Sequence, residues 1–69
     1  MATIGVIDGA KVQELMTRRI LSTAALSRNS GVSYSTIADI LHGRRASVRN
    51  TTLAAIAKCL DVEDVSIMA

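Results

Sequence analysis

The chain has 69 residues and a single cysteine, enough for one domain whose core lies near the lower limit for folding without disulfides or metal, and too little to enclose a substrate. Hydrophobic residues make up 49% of it, yet Tyr34 is the only aromatic and proline is absent, so the core must be built from Leu, Ile, Val, Ala and Met, a palette that favours packed helices. The net charge of +2 hides a basic middle, where Arg18, Arg19, Arg28, Arg44, Arg45, Arg49 and Lys58 meet only Asp39, between ends whose acids are Asp8, Glu14, Asp61, Glu63 and Asp64; that block suits a polyanion, although a solvated basic face has the same composition.

In chain order, Thr3 to Ile7 is a short apolar lead-in that fits an extended arm. Asp8 can cap a first helix over 8–19 with Val12, Leu15 and Met16 at helical spacing. Ser22 caps a shorter second helix over 22–30 around Leu26, which Gly31 stops, with Val32 turning back toward the core. Ser33 caps a third helix over 33–42 that places Ile37, Ile40 and Leu41 on one side and stops at Gly43. All four glycines fall between periodic stretches, as punctuation. Arg44 to Asn50 reads as a polar, basic loop, after which Asn50 or Thr51 caps a fourth helix over 50–60 with Leu53, Ile56, Ala57 and Leu60 inward. The tail, 61–69, fits a short helix, a strand or a dimerisation arm equally. No repeat or linker divides the chain, so 1–69 is expected to be one all-α domain of four to five short helices.

Several function classes have no residues to support them. His42 is the lone histidine and Cys59 its only soft companion, so no metal site is expected; Cys59 reads as a small apolar filler, and the absence of a possible disulfide partner suits a reduced, cytoplasmic setting. The start MATIGVID lacks a basic leader region, and no stretch approaches the roughly 18 apolar residues of a membrane span. No nucleophile and base, paired carboxylates or phosphate-cradling glycine loop occurs at a recognisable spacing, so neither catalysis nor a cofactor or small-molecule ligand is expected.

Two short helices joined by a glycine-containing turn, the second opened by a serine, have the form of a helix-turn-helix. From Leu21 to Leu60, about two thirds of the chain, LSTAALSRNSGVSYSTIADILHG, a loop and TLAAIAKCL resemble the Cro/C1 repressor type of helix-turn-helix, the XRE family. The resemblance rests on Thr23, Leu26, Gly31, Val32, Ile37, Ile40 and Gly43, together with the LAAIAKCLDV helix. Ser30 stands where the family usually has an apolar residue and Ser27 where alanine is common, and both are small enough to fit. The resemblance implies a lambda-repressor-like fold and a transcriptional regulator, a repressor above all, that binds double-stranded operator DNA.

On a helical wheel Ser35, Asp39 and His42 form one stripe nearly opposite Ile37 and Leu41, with Tyr34 and Thr36 flanking it. In repressors of this type the positions corresponding to Tyr34, Ser35 and Asp39 touch base edges, and Thr36 borders them. The chemistry is suitable: a serine hydroxyl donates or accepts, a carboxylate accepts from cytosine N4, and a tyrosine ring presses on a thymine methyl. Asp39 should penalise wrong bases more than it adds affinity, since phosphates repel it unless it gains a base or an arginine partner. Phosphate contacts are expected from Thr23, Ser33, His42, Arg44, Arg45, Arg49 and Asn50. Arg18 and Arg19 serve the C-terminus of the first helix at least as well as DNA. The partners expected are operator DNA and a second copy or another regulator. The rival reading keeps the fold but makes it a protein-interaction module, an anti-repressor or co-repressor that leaves DNA alone.

Overall fold

The computed structural model describes residues 4–69, so Thr3 of the expected arm lies outside the described residues. The elements in order are β1 (Ile4–Val6), α1 (Gly9–Arg18), α2 (Thr23–Ser30), α3 (Tyr34–Leu41), β2 (Ser47–Arg49), α4 (Asn50–Cys59) and a 3-10 helix over Asp64–Ile67. The chain is therefore helical, with one small antiparallel sheet.

Local capping chemistry starts the first three helices. Asp8 accepts from the backbone N–H groups of Ala10 and Lys11 at 2.9 and 3.3 Å, Ser22 from that of Ala25 at 3.0 Å, and Ser33 from that of Thr36 at 3.3 Å. The fourth helix departs from expectation. Its cap position is Arg49, with extended backbone and no side-chain cap bond, so neither Asn50 nor Thr51 caps it. The reason is continuity: Arg49 is the last residue of β2, and the extended strand runs straight into the first turn.

That strand also corrects the reading of Arg44 to Asn50 as loop. Ile4 pairs with Arg49, Gly5 with Val48 and Val6 with Ser47, so the lead-in is a sheet strand and not a free arm. Along its other edge β1 meets the C-terminal end: Asp8 N–H donates to the Ile67 carbonyl at 2.8 Å and Ala69 N–H to the Val6 carbonyl at 3.0 Å. The tail is thus a 3-10 turn followed by a bridge between Met68 and Ile7. Lys11 Nζ donates to the Met68 carbonyl at 3.0 Å and ties the tail to α1 as well.

The core is aliphatic apart from Met16. Val12 and Met16 from α1, Leu26 from α2, Ile37 and Ile40 from α3, and Leu53, Ile56, Ala57 and Leu60 from α4 or its end are buried together with Ile7, Val48 and Ile67. No polar or charged residue is buried among the described residues. Each large member contributes about 1.5–3 kcal/mol by leaving water.

Two of the four glycines are not punctuation. Gly5 is buried within β1, where a Cβ would lie 3.0 Å from Leu53 Cδ2, so it lets the strand lie flat on α4. Gly9 opens α1 with its Cα against the Ile40 carbonyl, the backbone of α3, leaving no room for a Cβ. Gly9 thereby sets how closely α1 and α3 approach. Conversely, two left-handed positions carry side chains, Ile20 at φ 53° and Asp61 at φ 57°, one just past α1 and the other past α4.

Gly9→Ala should lower stability by about 1–3 kcal/mol, because the contact it would make is with backbone that cannot rotate away. Ile20 is 93% exposed, so Ile20→Gly removes left-handed strain and loses almost no packing. Thermal unfolding of that variant should move upward, by about 4–8 °C for the roughly 1 kcal/mol of strain released. A fall in Tm would show that the Ile20 side chain is held by contacts that its exposure does not reveal.

Candidate nucleic-acid interface

The turn between α2 and α3 is fastened by serines. Gly31 takes φ 76° after α2, and its N–H donates to the Ser27 carbonyl at 3.0 Å. Ser27 Oγ donates to the Val32 carbonyl at 2.6 Å, Ser30 Oγ donates to the Leu26 carbonyl at 2.6 Å, and Ser30 Oγ also accepts from Val32 N–H at 3.3 Å. The two serines at positions where the family favours apolar residues therefore close the half-buried turn. Val32 packs against the core beside them.

With Ile37 and Ile40 sealed in the core, the opposite side of α3 must face outward. Tyr34 is 57% exposed at the head of the helix, and Ser35 and His42 are exposed. Ser33 Oγ donates to Thr36 Oγ1 at 2.8 Å while accepting from Thr36 N–H, so the exposed Ser33 hydroxyl serves the cap of α3. Thr23 is half-buried at the start of α2, and Asn50 is exposed at the start of α4.

The arginines at the ends of α1 and around β2 behave differently from one another. Arg18 pairs with Glu14 at 2.9 Å across one helical turn, and Arg19 reaches Asp61 at 3.8 Å, so both are answered within the domain. Arg45 and Arg49 make no ion pair among the described residues. They line an open groove with Gly31, Val32, Ser33, Thr36, Val48 and Thr52, between the head of α3 and the head of α4. The start of α4, without a side-chain cap, opens on the same groove and adds the positive end of a helix dipole. Thr52 was not singled out in the sequence. Its signal is weak, a polar residue one turn into a helix, and only the non-local β1–β2 pairing brings it beside Arg49. Arg44 behaves differently from the other two: its Nη1 lies 3.7 Å from Asp39 Oδ1.

The family model for the Cro/C1-type HTH DNA-binding domain matches residues 11–63, which contain every element of this interface. The chain belongs to the Cro/C1-type helix-turn-helix DNA-binding family. This family consists of DNA-binding transcription regulators and is not an enzyme family. Among solved structures, the Cro/C1-type fold of this chain is similar to the restriction-modification controller protein C.AhdI from Aeromonas hydrophila, with 29% identity over 84% of this chain and 86% of that one, at a TM-score of 0.78. It is similar to the transcriptional regulator VanUg, with 28% identity over all of this chain and 88% of the other, at a TM-score of 0.74. It also resembles an HTH_3 family transcriptional regulator from Vibrio cholerae, with 25% identity over 86% of this chain but only 33% of that longer protein, at a TM-score of 0.77. No curated protein sequence matches. Among the described residues no helix is long and apolar enough to cross a membrane, and no group of three metal-ligating side chains occurs.

Ser27→Ala should leave the fold intact but orphan the half-buried Val32 carbonyl. A loss of about 1 kcal/mol in urea titration is expected, with faster amide exchange confined to the α2–α3 turn.

Proposed function

We propose that the chain is a sequence-specific repressor acting as a single domain over 1–69, which lays α3 in the major groove of operator DNA and works by occupying its site in the cytoplasm. The observation that carries this reading is the placement of positive charge: Arg45 and Arg49, which make no ion pair among the described residues, line the groove at the head of α3 with Ser33 and Thr36, whereas Arg18 and Arg19 pair with Glu14 and Asp61. Size agrees with it. An α-helix with its side chains is about 10–12 Å across, comparable to the width of the groove.

Within this reading Tyr34, Ser35, Thr36 and Asp39 face base edges. Arg45 and Arg49, with the amides at the start of α4 around Asn50, grip one phosphate run; Thr23 and the amides at the start of α2 meet the other. His42, as the C-cap of α3, stands beside the first run. Two copies on half-sites about 34 Å apart would read a palindrome. The alternative, a module that binds another regulator, leaves the lining of Arg45 and Arg49 without a task.

Selection from random duplexes should return a defined motif, and its symmetry reports whether copies pair on DNA. Arg45→Ala should weaken binding to all sequences alike and flatten the plot of log affinity against log salt by about 0.9. Ser35→Ala should instead relax preference at one or two positions by about 1–3 kcal/mol. A shallow salt dependence for the intact chain, with no motif recovered, would overturn the proposal in favour of a protein partner.

A further inference from the structure

Three of the four helices end in the same backbone motif. In each, the residue at C′ is left-handed, its N–H bonds to the carbonyl three residues back, and the next N–H bonds to the carbonyl five residues back. After α1 these bonds run from Ile20 to Thr17 and from Leu21 to Met16, at 3.2 and 2.9 Å. After α4 they run from Asp61 to Lys58 and from Val62 to Ala57, at 3.1 and 3.0 Å. After α3 they run from Gly43 to Ile40 and from Arg44 to Asp39, at 3.2 and 2.8 Å.

The motif is normally closed by an apolar contact between the two residues joined by the second bond. After α1 the pair is Met16 and Leu21, and after α4 it is Ala57 and Val62, all four packed in or against the core. After α3 the pair is Asp39 and Arg44, an ion pair at 3.7 Å with the arginine side chain 71% and the carboxylate 36% exposed. An ion pair this exposed contributes at most about 1 kcal/mol, so stability does not account for the exception. Its position does, because it lies on the outward stripe of α3.

We propose that Asp39 and Arg44 act as one reading unit that selects a G·C pair; this deepens the assignment of α3 to the major groove and rests on it. In the groove guanine presents O6 and N7 as acceptors and cytosine presents N4–H as a donor, and O6 and N4 lie about 2.9 Å apart because they share a base-pairing hydrogen bond. A guanidinium beside a carboxylate matches that edge, with both arms of the fork on O6 and N7 and the carboxylate on N4. An A·T pair puts the adenine N6 amino donor where guanine has O6 and the thymine O4 acceptor where cytosine has its N4 donor, so it opposes one arm of the fork and the carboxylate alike. The left-handed Gly43 is what folds Arg44 back over Asp39, so the unit is set before DNA arrives. Arg44 is therefore a specificity residue, in place of the phosphate contact expected from sequence.

The test is selection from random duplexes with the intact chain, followed by titration of the selected duplex and its single-position variants against Arg44→Lys, Arg44→Ala, Asp39→Ala and the double variant. Arg44→Lys keeps the charge but loses the fork. It should lower the preference for G·C at one position about tenfold while leaving the salt slope unchanged. Asp39→Ala should lower preference at that same position, and the double variant should be no worse than either single one, as expected for groups that act together. Circular dichroism confirms folding of each variant, and Arg44→Lys preserves the local charge should Arg44→Ala perturb the helix end. If Arg44→Lys binds as the parent does at every position while Arg44→Ala weakens all sequences equally and flattens the salt slope, Arg44 grips phosphate and this inference alone fails. If the intact chain binds no duplex, the assignment of α3 fails with it.

Discussion

The insertion of Ile37 and Ile40 into the core is the constraint on which the rest of the molecule depends. Both are sealed from solvent, and they lie on a helix only eight residues long. Rotating α3 by one residue, about 100°, would bring an isoleucine to the surface and drive the Asp39 or Ser35 side towards Leu26 and Ile56. Burying a carboxylate there costs far more than the apolar contact it would replace. Two aliphatic side chains therefore decide which residues α3 offers to a partner. Because no polar or charged side chain is buried with them among the described residues, shape sets the helix's distance from α1, and the bare Cα of Gly9 against the Ile40 carbonyl fixes that shape.

What was legible in the sequence was local. Asp8, Ser22 and Ser33 act on N–H groups two or three residues ahead, and Gly31 and Gly43 take the left-handed turns that stop α2 and α3, so the starts of α1, α2 and α3 and the ends of α2 and α3 follow from neighbours in sequence. Non-local features were not legible. Ile4 and Arg49 pair across most of the chain's length, and neither three-residue strand carries enough alternation to announce the other. That pairing makes Arg49 extended, which removes the cap from Asn50 and Thr51 and seats Arg49 in the groove. Ile20 and Asp61 were hidden for another reason: a left-handed residue without glycine has no local signature.

The candidate site divides in the same way. The outward stripe of α3 follows from helical periodicity and needs no knowledge of the fold. The roles of the arginines do not, since seven basic residues between Arg18 and Lys58 look alike in sequence. Only the folded chain shows that Arg18 and Arg19 meet Glu14 and Asp61, that Arg45 and Arg49 remain open, and that Arg44 turns back on Asp39. Sequence pattern offered Asp39 either a base or an arginine. The stop at Gly43 placed Arg44 at the one position able to reach back, because the residue after a left-handed C′ returns over the last turn of its helix.

This division of charge has an energetic logic. A domain with a small, wholly apolar core has little stability to spare, and seven unpaired cations on one face would repel one another in the free state. Pairing Arg18 with Glu14 and Arg19 with Asp61 relieves part of that repulsion within the domain. Arg45 and Arg49, left open around the groove, keep their repulsion until a polyanion neutralises it, so relief of that repulsion adds to the free energy of association. Asp39 works against this attraction, and alone it would weaken binding to every sequence. Held beside Arg44 it nearly cancels in the long-range field while retaining full strength at hydrogen-bond distance. On the proposed reading, open cations such as Arg45 and Arg49 drive the approach to DNA, and side chains that contribute almost no net charge make the choice of sequence.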